Sequence, residues 1–131
     1  MDRKTVLVVE DHPRFRSALR AGLQRIGFDT VEAGNAAAAM HHLAACRPDV
    51  ICVDLLLPES SGYDLCEFIR KSPVHRSTPV LVMSDRAYPA DRAHAAEVGA
   101  DVFVKKPVNV ECLCRWIERL HQVPRAAEVQ K

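Results

Sequence analysis

The sequence contains no long hydrophobic run, and this excludes a membrane-spanning segment. None of its apolar stretches approaches the roughly 20 residues that a spanning helix needs, and the first one, residues 6–9, is followed at once by the acids Glu10 and Asp11. That run is also too short for the hydrophobic region of a signal peptide. We therefore expect a cytoplasmic protein that has no membrane partner.

An excess of charge of one sign is lacking as well. Eighteen basic and 17 acidic residues leave a net charge of +1, which argues against direct binding of nucleic acid through bulk electrostatics. The five cysteines are odd in number and form no CxxC motif. They therefore indicate buried, reduced thiols rather than a disulfide framework or a metal site.

The 131 residues, 48% of them hydrophobic, are enough for one folded domain with its own core. We expect this domain to cover residues 1–122 and residues 123–131 to form a flexible C-terminal tail. Because so few residues follow the last predicted helix, the chain is interpreted either as a stand-alone domain or as one domain of a longer protein.

Short runs rich in β-branched residues alternate five times with stretches of helical periodicity. The runs predict strands at residues 6–9, 28–33, 50–53, 79–83 and 102–104. The stretches after them predict helices at residues 13–26, 36–46, 63–71, 91–98 and 110–121. This alternation is typical of an α/β protein whose parallel sheet is covered by helices on both faces. The expected fold is a doubly wound, flavodoxin-like five-stranded parallel sheet of order 2-1-3-4-5.

The predicted strands end in residues that carry chemistry. Glu10 and Asp11 follow strand 1, Asp54 follows strand 3, Ser84 follows strand 4, and Lys106 lies just beyond strand 5. Ligands of such sheets bind beyond the carboxyl ends of the strands, so these side chains are expected to meet at one rim. Three carboxylates held close together favour a divalent cation, and oxygen ligands with an incomplete protein cage suit Mg²⁺. One carboxylate could then be the nucleophile that accepts a phosphoryl group.

Taken together, these motifs resemble the receiver domain of bacterial two-component response regulators, of the single-domain chemotaxis type. The resemblance covers about residues 4 to 121 and depends on an ordered set of motifs rather than on any one of them. The set comprises Val8-Val9-Glu10-Asp11, Asp54-Leu55-Leu56-Leu57-Pro58 with Gly62 eight residues after Asp54, Ser84 after a hydrophobic strand, Gly99-Ala100-Asp101, Phe103 and Lys106-Pro107.

The resemblance implies which residues hold the phosphoryl group and the metal. Asp54 is the phosphoacceptor, which takes the group from the phosphohistidine of a sensor histidine kinase or a phosphotransfer protein. The Mg²⁺ ligands are Glu10, Asp11, Asp54 and the backbone carbonyl of Leu56. The kinase would dock on helix 1, whose arginines at positions 14, 16, 20 and 25 either meet acidic partner surfaces or face solvent.

The resemblance also implies a conformational switch. Lys106, joined to Pro107 by a cis peptide bond, contacts the phosphoryl group. The Ser84 hydroxyl moves toward that group and the Phe103 ring rotates inward, which repacks the surface formed by helix 4, strand 5 and helix 5. A downstream partner then binds this surface, whether it is a separate protein, a fused output domain or a second copy in a homodimer.

Two positions depart from the usual family pattern. A small residue usually follows the switch hydroxyl, whereas Asp85 and Arg86 follow Ser84 here. We hypothesise that this pair tunes the lifetime of the acyl phosphate and the access of small phosphodonors; an ion pair in a solvated loop is the alternative. Phe103 lacks the hydroxyl that many family members carry at this position as tyrosine.

Three other functions fit only parts of the pattern. A Mg²⁺-dependent phosphohydrolase of the haloacid-dehalogenase type needs a second acid two residues after its nucleophile, where this chain has Leu56. A flavodoxin-like electron carrier needs a phosphate-binding loop after strand 1, where His12 and Pro13 follow the two acids. A docking module that is never phosphorylated would not need the complete set of acids, hydroxyl and lysine. We therefore expect a signalling phosphoacceptor with only self-phosphorylation and autodephosphorylation chemistry, not a turnover enzyme.

Overall fold

Strands and helices alternate through residues 3–122, the part of the chain that this computed structural model describes. The strands of the main sheet are β1 Lys4–Val9, β2 Phe28–Ala33, β3 Val50–Asp54, β4 Val80–Ser84 and β5 Val102–Lys105. The helices are α1 Pro13–Arg25, α2 Ala36–Ala45, α3 Gly62–Lys71, α4 Pro89–Glu97 and α5 Val110–Gln122. The predicted tail, residues 123–131, lies outside the described residues. Within the described part, no helix is both long and apolar enough to cross a membrane.

The five strands form one parallel sheet in the order β2-β1-β3-β4-β5. This confirms the predicted doubly wound sheet. The strand order reverses at β1: β2 is added on one side of β1, and β3 and the later strands are added on the other side. A reversal of this kind leaves a crevice beyond the carboxyl ends of β1 and β3, which is where the acids Glu10 and Asp54 occur.

The sheet separates two apolar cores, because successive side chains of a strand point to opposite faces. Val6 and Val8 of β1 lie in the core that α1 and α5 cover. Leu7 and Val9 of the same strand lie in the core that α2, α3 and α4 cover. The central strand β3 is buried along its whole length, as expected for a strand covered on both faces.

Capping residues that can be read from the sequence set several helix ends. Asn35, Ser61 and Asn109 each accept a hydrogen bond from a backbone amide in the first turn of α2, α3 and α5, at 2.8, 3.0 and 2.8 Å. Gly27 and Gly99 follow the ends of α1 and α4 with φ of +96° and +98°. This left-handed conformation favours glycine and ends the helix.

Two features differ from the sequence-based expectation. A short antiparallel hairpin joins Leu56–Leu57 to Ser60–Ser61 between β3 and α3; strands of two residues are too short to produce a periodic pattern. The other difference is that α4 begins at Pro89 rather than at residue 91. Proline suits the first turn of a helix, and the Tyr88 amide before it donates to the Asp91 carboxylate at 3.0 Å.

Candidate functional site

The ends of four strands bring the predicted site residues to one edge of the sheet. Glu10 follows β1, Asp54 ends β3, Ser84 ends β4, and Lys106 follows β5. Glu10, Asp54 and Ser84 are almost completely buried, with exposed fractions of 0%, 4% and 1%. Because buried charges are costly unless they are paired, the positions of their partners decide what this site can do.

The Lys106 ammonium joins acids from two different strand ends. Its Nζ donates to Glu10 Oε1 at 2.7 Å and to Asp54 Oδ2 at 2.8 Å. The same nitrogen lies 5.3 Å from the centre of the Phe15 ring of α1, within the range of a cation–π contact. The peptide bond that follows Lys106, to Pro107, is cis. The lysine charge is therefore held directly beside Asp54.

Asp54 is held by the backbone as well as by the lysine. Its Oδ1 accepts a hydrogen bond from the Leu56 amide, in the short hairpin, at 2.9 Å. Gly62 at the start of α3 lies against this segment: a Cβ there would be 2.6 Å from Leu55 Cα and 2.7 Å from the Asp54 carbonyl oxygen. Only a residue without a side chain allows this approach, which gives the Gly62 of the sequence motif a physical reason.

Burial and hydrogen bonding together shift the pKa values of the two buried acids in opposite directions. Burial raises the pKa of Glu10, but the hydrogen bonds from Lys106 and from the His12 amide and ring outweigh it and bring the pKa of Glu10 down to about 2. Burial also raises the pKa of Asp54, and there the hydrogen bonds from Lys106 and the Leu56 amide offset only part of the rise. Asp54 is therefore the more basic carboxylate of the two, as suits a nucleophile.

The donor atoms around Asp11 fit a divalent cation. One ligand atom from each of Glu10, Asp11, His12 and Asp54 lies within 4.8 Å of all the others. Asp11 Oδ1 is buried and accepts no hydrogen bond from residues 3–122, although His12 Nδ1 lies 3.3 Å away. A buried carboxylate oxygen without a donor is stabilised by a hard cation such as Mg²⁺. The role of the Leu56 carbonyl as a further metal ligand stays a prediction.

Ser84 and Phe103, the predicted switch pair, lie on neighbouring strands and on the same face of the sheet. Phe103 is opposite Val82, two residues before Ser84. The Ser84 hydroxyl accepts a hydrogen bond from the Arg86 amide at 3.0 Å. The Phe103 ring is partly buried against the core of α2, α3 and α4, and the central guanidinium carbon of Arg92 lies 4.8 Å from its centre. Helix α4 therefore contacts the aromatic residue of the predicted switch directly.

The loop after β4 carries Asp85, which departs from the family pattern, and its neighbour Arg86. Asp85 and Arg86 are both exposed. Arg86 lies 3.8 Å from the Asp91 carboxylate of α4, whereas no ion pair joins it to Asp85 among the residues described. Among residues 3–122, the Asp85 carboxylate next to Ser84 is therefore in no ion pair.

Arg16 belongs to the site although nothing in the sequence distinguishes it from the other arginines of α1. The Arg16 guanidinium turns back toward the site, where Nη1 donates to the Glu10 carbonyl at 2.8 Å and Nε donates to Glu32 Oε1 at 3.0 Å. The signal in the sequence is an arginine six residues after Glu10 together with an acid near the end of β2. That pattern is too sparse to single out one arginine among four.

Known proteins resemble this chain in both sequence and structure. Residues 6–118 match the response regulator receiver domain family. The transcriptional regulatory protein KdpE of Mycobacterium tuberculosis is 35% identical over 127 residues, which are 96% of this chain and 55% of KdpE. The chain thus spans about half the length of that relative.

Shorter relatives match over most of both chains. Protein PilG of Pseudomonas aeruginosa is 30% identical over 110 residues, which are 84% of this chain and 82% of PilG. The structure of the chemotaxis response regulator CheY4 of Vibrio cholerae aligns with a TM-score of 0.85 at 26% identity, and the alignment covers 91% of this chain and 99% of CheY4.

Proposed function

This chain belongs to the response regulator receiver family of two-component signalling, and from that membership we propose that it is a phosphorylation switch whose acceptor is Asp54. One observation carries the proposal: the Asp54 carboxylate lies at the end of β3 between the Lys106 ammonium, at 2.8 Å, and the Leu56 amide, at 2.9 Å. The raised pKa of Asp54 supports the same role, because a more basic carboxylate is a better nucleophile.

In the proposed reaction, a carboxylate oxygen of Asp54 attacks the phosphorus of a phosphohistidine. The new O–P bond forms as the P–N bond breaks, and the imidazole nitrogen keeps the electron pair of that bond. The Lys106 ammonium is placed to stabilise the negative charge on the phosphoryl oxygens. Glu10 stays charged because of its low pKa. It therefore continues to hold Lys106 after an oxygen of Asp54 has formed the bond to phosphorus.

The cation proposed for this site is Mg²⁺, held by Glu10, Asp11, Asp54 and the Leu56 carbonyl. A bound Mg²⁺ neutralises negative charge on the phosphoryl oxygens during transfer. The support in this chain is the set of hard oxygen donors, with Asp11 Oδ1 buried and without a hydrogen bond from the described residues. Asp11 therefore contributes an oxygen that accepts no hydrogen bond from residues 3–122, although His12 Nδ1 lies 3.3 Å from it.

The switch proposed for the phosphorylated state uses Ser84 and Phe103. The added dianion attracts the Ser84 hydroxyl away from the Arg86 amide, which it now contacts at 3.0 Å, and the Phe103 ring turns into the space that is vacated. Because Arg92 contacts that ring, rotation also changes the packing of α4. The surface of α4, β5 and α5 is thereby shifted between two arrangements.

The proposed partners follow from this switch. A sensor histidine kinase or phosphotransfer protein supplies the phosphoryl group in the cytoplasm. A downstream protein, a fused output domain or a second copy of the chain binds the surface of α4, β5 and α5. The chemistry is one transfer per phosphorylated molecule followed by autodephosphorylation; sustained phosphate release from small phosphomonoesters would contradict this and favour a phosphohydrolase.

The acceptor is tested by incubating the chain with acetyl phosphate and Mg²⁺ and measuring its intact mass. We expect a gain of one phosphoryl group, lost in Asp54→Asn and kept in Asp64→Asn, a control that changes an exposed acid of α3. The fluorescence of Trp116, on the exposed side of α5, should change when beryllofluoride and Mg²⁺ are added to the wild type only. A mass gain that persists in Asp54→Asn would assign the acceptor to another residue.

A further inference from the structure

Arg16 connects the loop that carries the acids Glu10 and Asp11 to the end of β2. Its Nη1 donates to the Glu10 carbonyl at 2.8 Å, and its Nε donates to Glu32 Oε1 at 3.0 Å. Only 23% of the Arg16 side chain is exposed. Gly34 leaves room for the guanidinium, since a Cβ there would lie 3.3 Å from Arg16 Nη1.

Arg16 contacts the Glu10 carbonyl just beyond the last residue pair of the β1–β2 ladder. The pairing of β1 with β2 ends at Val9 and Ala33, and the Glu10 amide still donates to the Ala33 carbonyl at 3.0 Å. The Glu10 carbonyl takes its hydrogen bond from Arg16 instead of from a strand. That carbonyl belongs to the peptide unit between Glu10 and Asp11, so its orientation sets the direction in which both acidic side chains leave the backbone.

We propose that Arg16 is a positioning residue for the cation site, which it serves by fixing the Glu10–Asp11 peptide against Glu32. This inference rests on the proposed Mg²⁺ site. Arg16 touches neither the metal donors nor the phosphoryl acceptor; it acts through the backbone that carries two of the donors. Its fork of parallel donors suits this role, because one nitrogen can hold the carbonyl while another holds the carboxylate.

Arg20 provides a matched control one helical turn further along α1. Its Nη1 lies 3.4 Å from the other oxygen of the same Glu32 carboxylate, and 53% of its side chain is exposed. Both arginines carry the same charge and share one partner. Among the contacts of the described residues, only that of Arg16 continues to the Glu10 carbonyl.

The direction of the effect separates positioning from simple electrostatics. Removing a positive charge near a cation site strengthens Mg²⁺ binding by Coulomb's law. Loss of positioning weakens it, because Glu10 and Asp11 must then be ordered when the ion binds. We expect Arg16→Met to weaken Mg²⁺ binding about tenfold, the usual effect of losing one hydrogen bond to a charged group.

The experiment is a titration with MgCl₂ of the unphosphorylated chain, followed by calorimetry and by the amide NMR signals of Asp11 and Leu56. Arg16→Lys, which keeps the charge but not the fork, should also bind Mg²⁺ more weakly, and Arg20→Met should bind it as the wild type does. If Arg16→Met folds poorly, as judged by thermal unfolding, Arg16→Lys still tests the inference, because electrostatics alone predicts no change in Mg²⁺ affinity when the charge is kept.

Two outcomes would overturn the inference: unchanged or tighter Mg²⁺ binding in Arg16→Met, or an equal loss in Arg20→Met. Asp11→Asn distinguishes this failure from failure of the proposed site itself. If Asp11→Asn loses Mg²⁺ binding while Arg16→Met retains it, the site stands and the role of Arg16 is wrong. If Asp11→Asn binds Mg²⁺ as the wild type does, the proposed site is wrong.

Discussion

At the scale of single residues, one ammonium balances two buried carboxylates. Lys106 lies 2.7 Å from Glu10 and 2.8 Å from Asp54, while its neighbour Lys105 is exposed. Burial lowers the pKa of the Lys106 ammonium, but the hydrogen bonds that it donates to Asp54 and Glu10 outweigh burial and raise the pKa. The charge of Lys106 is thus part of the structure of the site as well as of its chemistry.

Replacing Lys106 with methionine should destabilise the chain, because Glu10 then keeps a buried charge without its cation. The loss of unfolding free energy should be about 2–3 kcal/mol, at the low end for a broken buried pair because Lys106 itself is partly exposed. Urea unfolding measures it, with Lys105→Met as the control that should change little. Mg²⁺ should raise the unfolding free energy of Lys106→Met more than that of the wild type. An equal rise in both proteins would contradict this account of the site.

The exposed Asp85 carboxylate should oppose the approach of an anionic phosphodonor. Removing it in Asp85→Ala should speed phosphorylation by acetyl phosphate up to about fivefold, the limit for an exposed charge whose effect stays near 1 kcal/mol. Phosphorylation and dephosphorylation rates, followed by intact mass, test this against Asp64→Ala. If both rates of Asp85→Ala equal those of the wild type, the tuning hypothesis is wrong.

At the scale of the elements, the distance between β3 and α3 determines where Asp54 lies. The short hairpin supplies the Leu56 amide to Asp54 Oδ1, and Gly62 lets the start of α3 approach the backbone of Leu55. A larger residue would have to push α3, the hairpin or the end of β3 away. The geometry of the acceptor therefore depends on packing between elements and not only on the acceptor residue.

Gly62→Ala should cost about 2 kcal/mol or more of unfolding free energy, since its Cβ meets backbone atoms that cannot rotate away. Gly27→Ala is the matched control: its position is open but has φ of +96°, so alanine costs about 1 kcal/mol through backbone strain alone. Urea unfolding compares the two. Only Gly62→Ala should also slow phosphorylation of Asp54, and equal rates in both variants would contradict the positioning argument.

At the scale of the whole molecule, the sheet divides the interior into two cores, and each contains a cysteine. Cys52 lies in the core under α1 and α5, and Cys66 lies in the core under α2, α3 and α4. Burial raises the pKa of the Cys66 thiol to about 12, and it raises the pKa of the Cys52 thiol above its usual range. All five cysteines are free, so Cys52 and Cys66 can each report on the core in which they lie.

Labelling with a thiol reagent should follow burial. Cys46 and Cys112 are half-buried and should react first, whereas Cys52 and Cys66 should react only when the domain opens. Peptide mass analysis after timed labelling gives the rates. Reaction of Cys52 as fast as that of Cys112 under native conditions would show that the core under α1 and α5 opens without global unfolding.

The raised pKa of the buried Cys66 thiol makes the stability of the fold depend on pH. Unfolded thiols ionise above about pH 8.5, whereas the folded chain keeps Cys66 protonated until its pKa of about 12. The unfolded state then binds fewer protons than the native state, so the contribution of Cys66 is complete below pH 8.5 and is lost as the pH rises toward 12. Urea unfolding at pH 8 and pH 10 measures it, and Cys66→Ala should show a smaller decrease; equal decreases would contradict the assignment.

The features that can be predicted from the sequence are those set by interactions between residues that are close along the chain. The five strands and five helices were predicted with small errors at their ends, because apolar periodicity and caps such as Asn35 and Ser61 act locally. The hairpin at Leu56–Leu57 was missed because its strands are too short for a pattern, and Arg16 was missed because its partners, Glu10 and Glu32, are distant in sequence.

The sequence by itself determined the order of the elements and the residue types that occur at the strand ends, since both follow from local periodicity and from parallel winding. Only the tertiary structure decided which atoms of these residues are hydrogen-bonded to one another. Lys105, the last residue of β5, is exposed to solvent, whereas Lys106 just beyond the strand reaches Asp54. Residues one turn apart share a face of a helix but lie at different distances along its axis, so Arg16 holds the loop of the acid pair while Arg20 is more exposed.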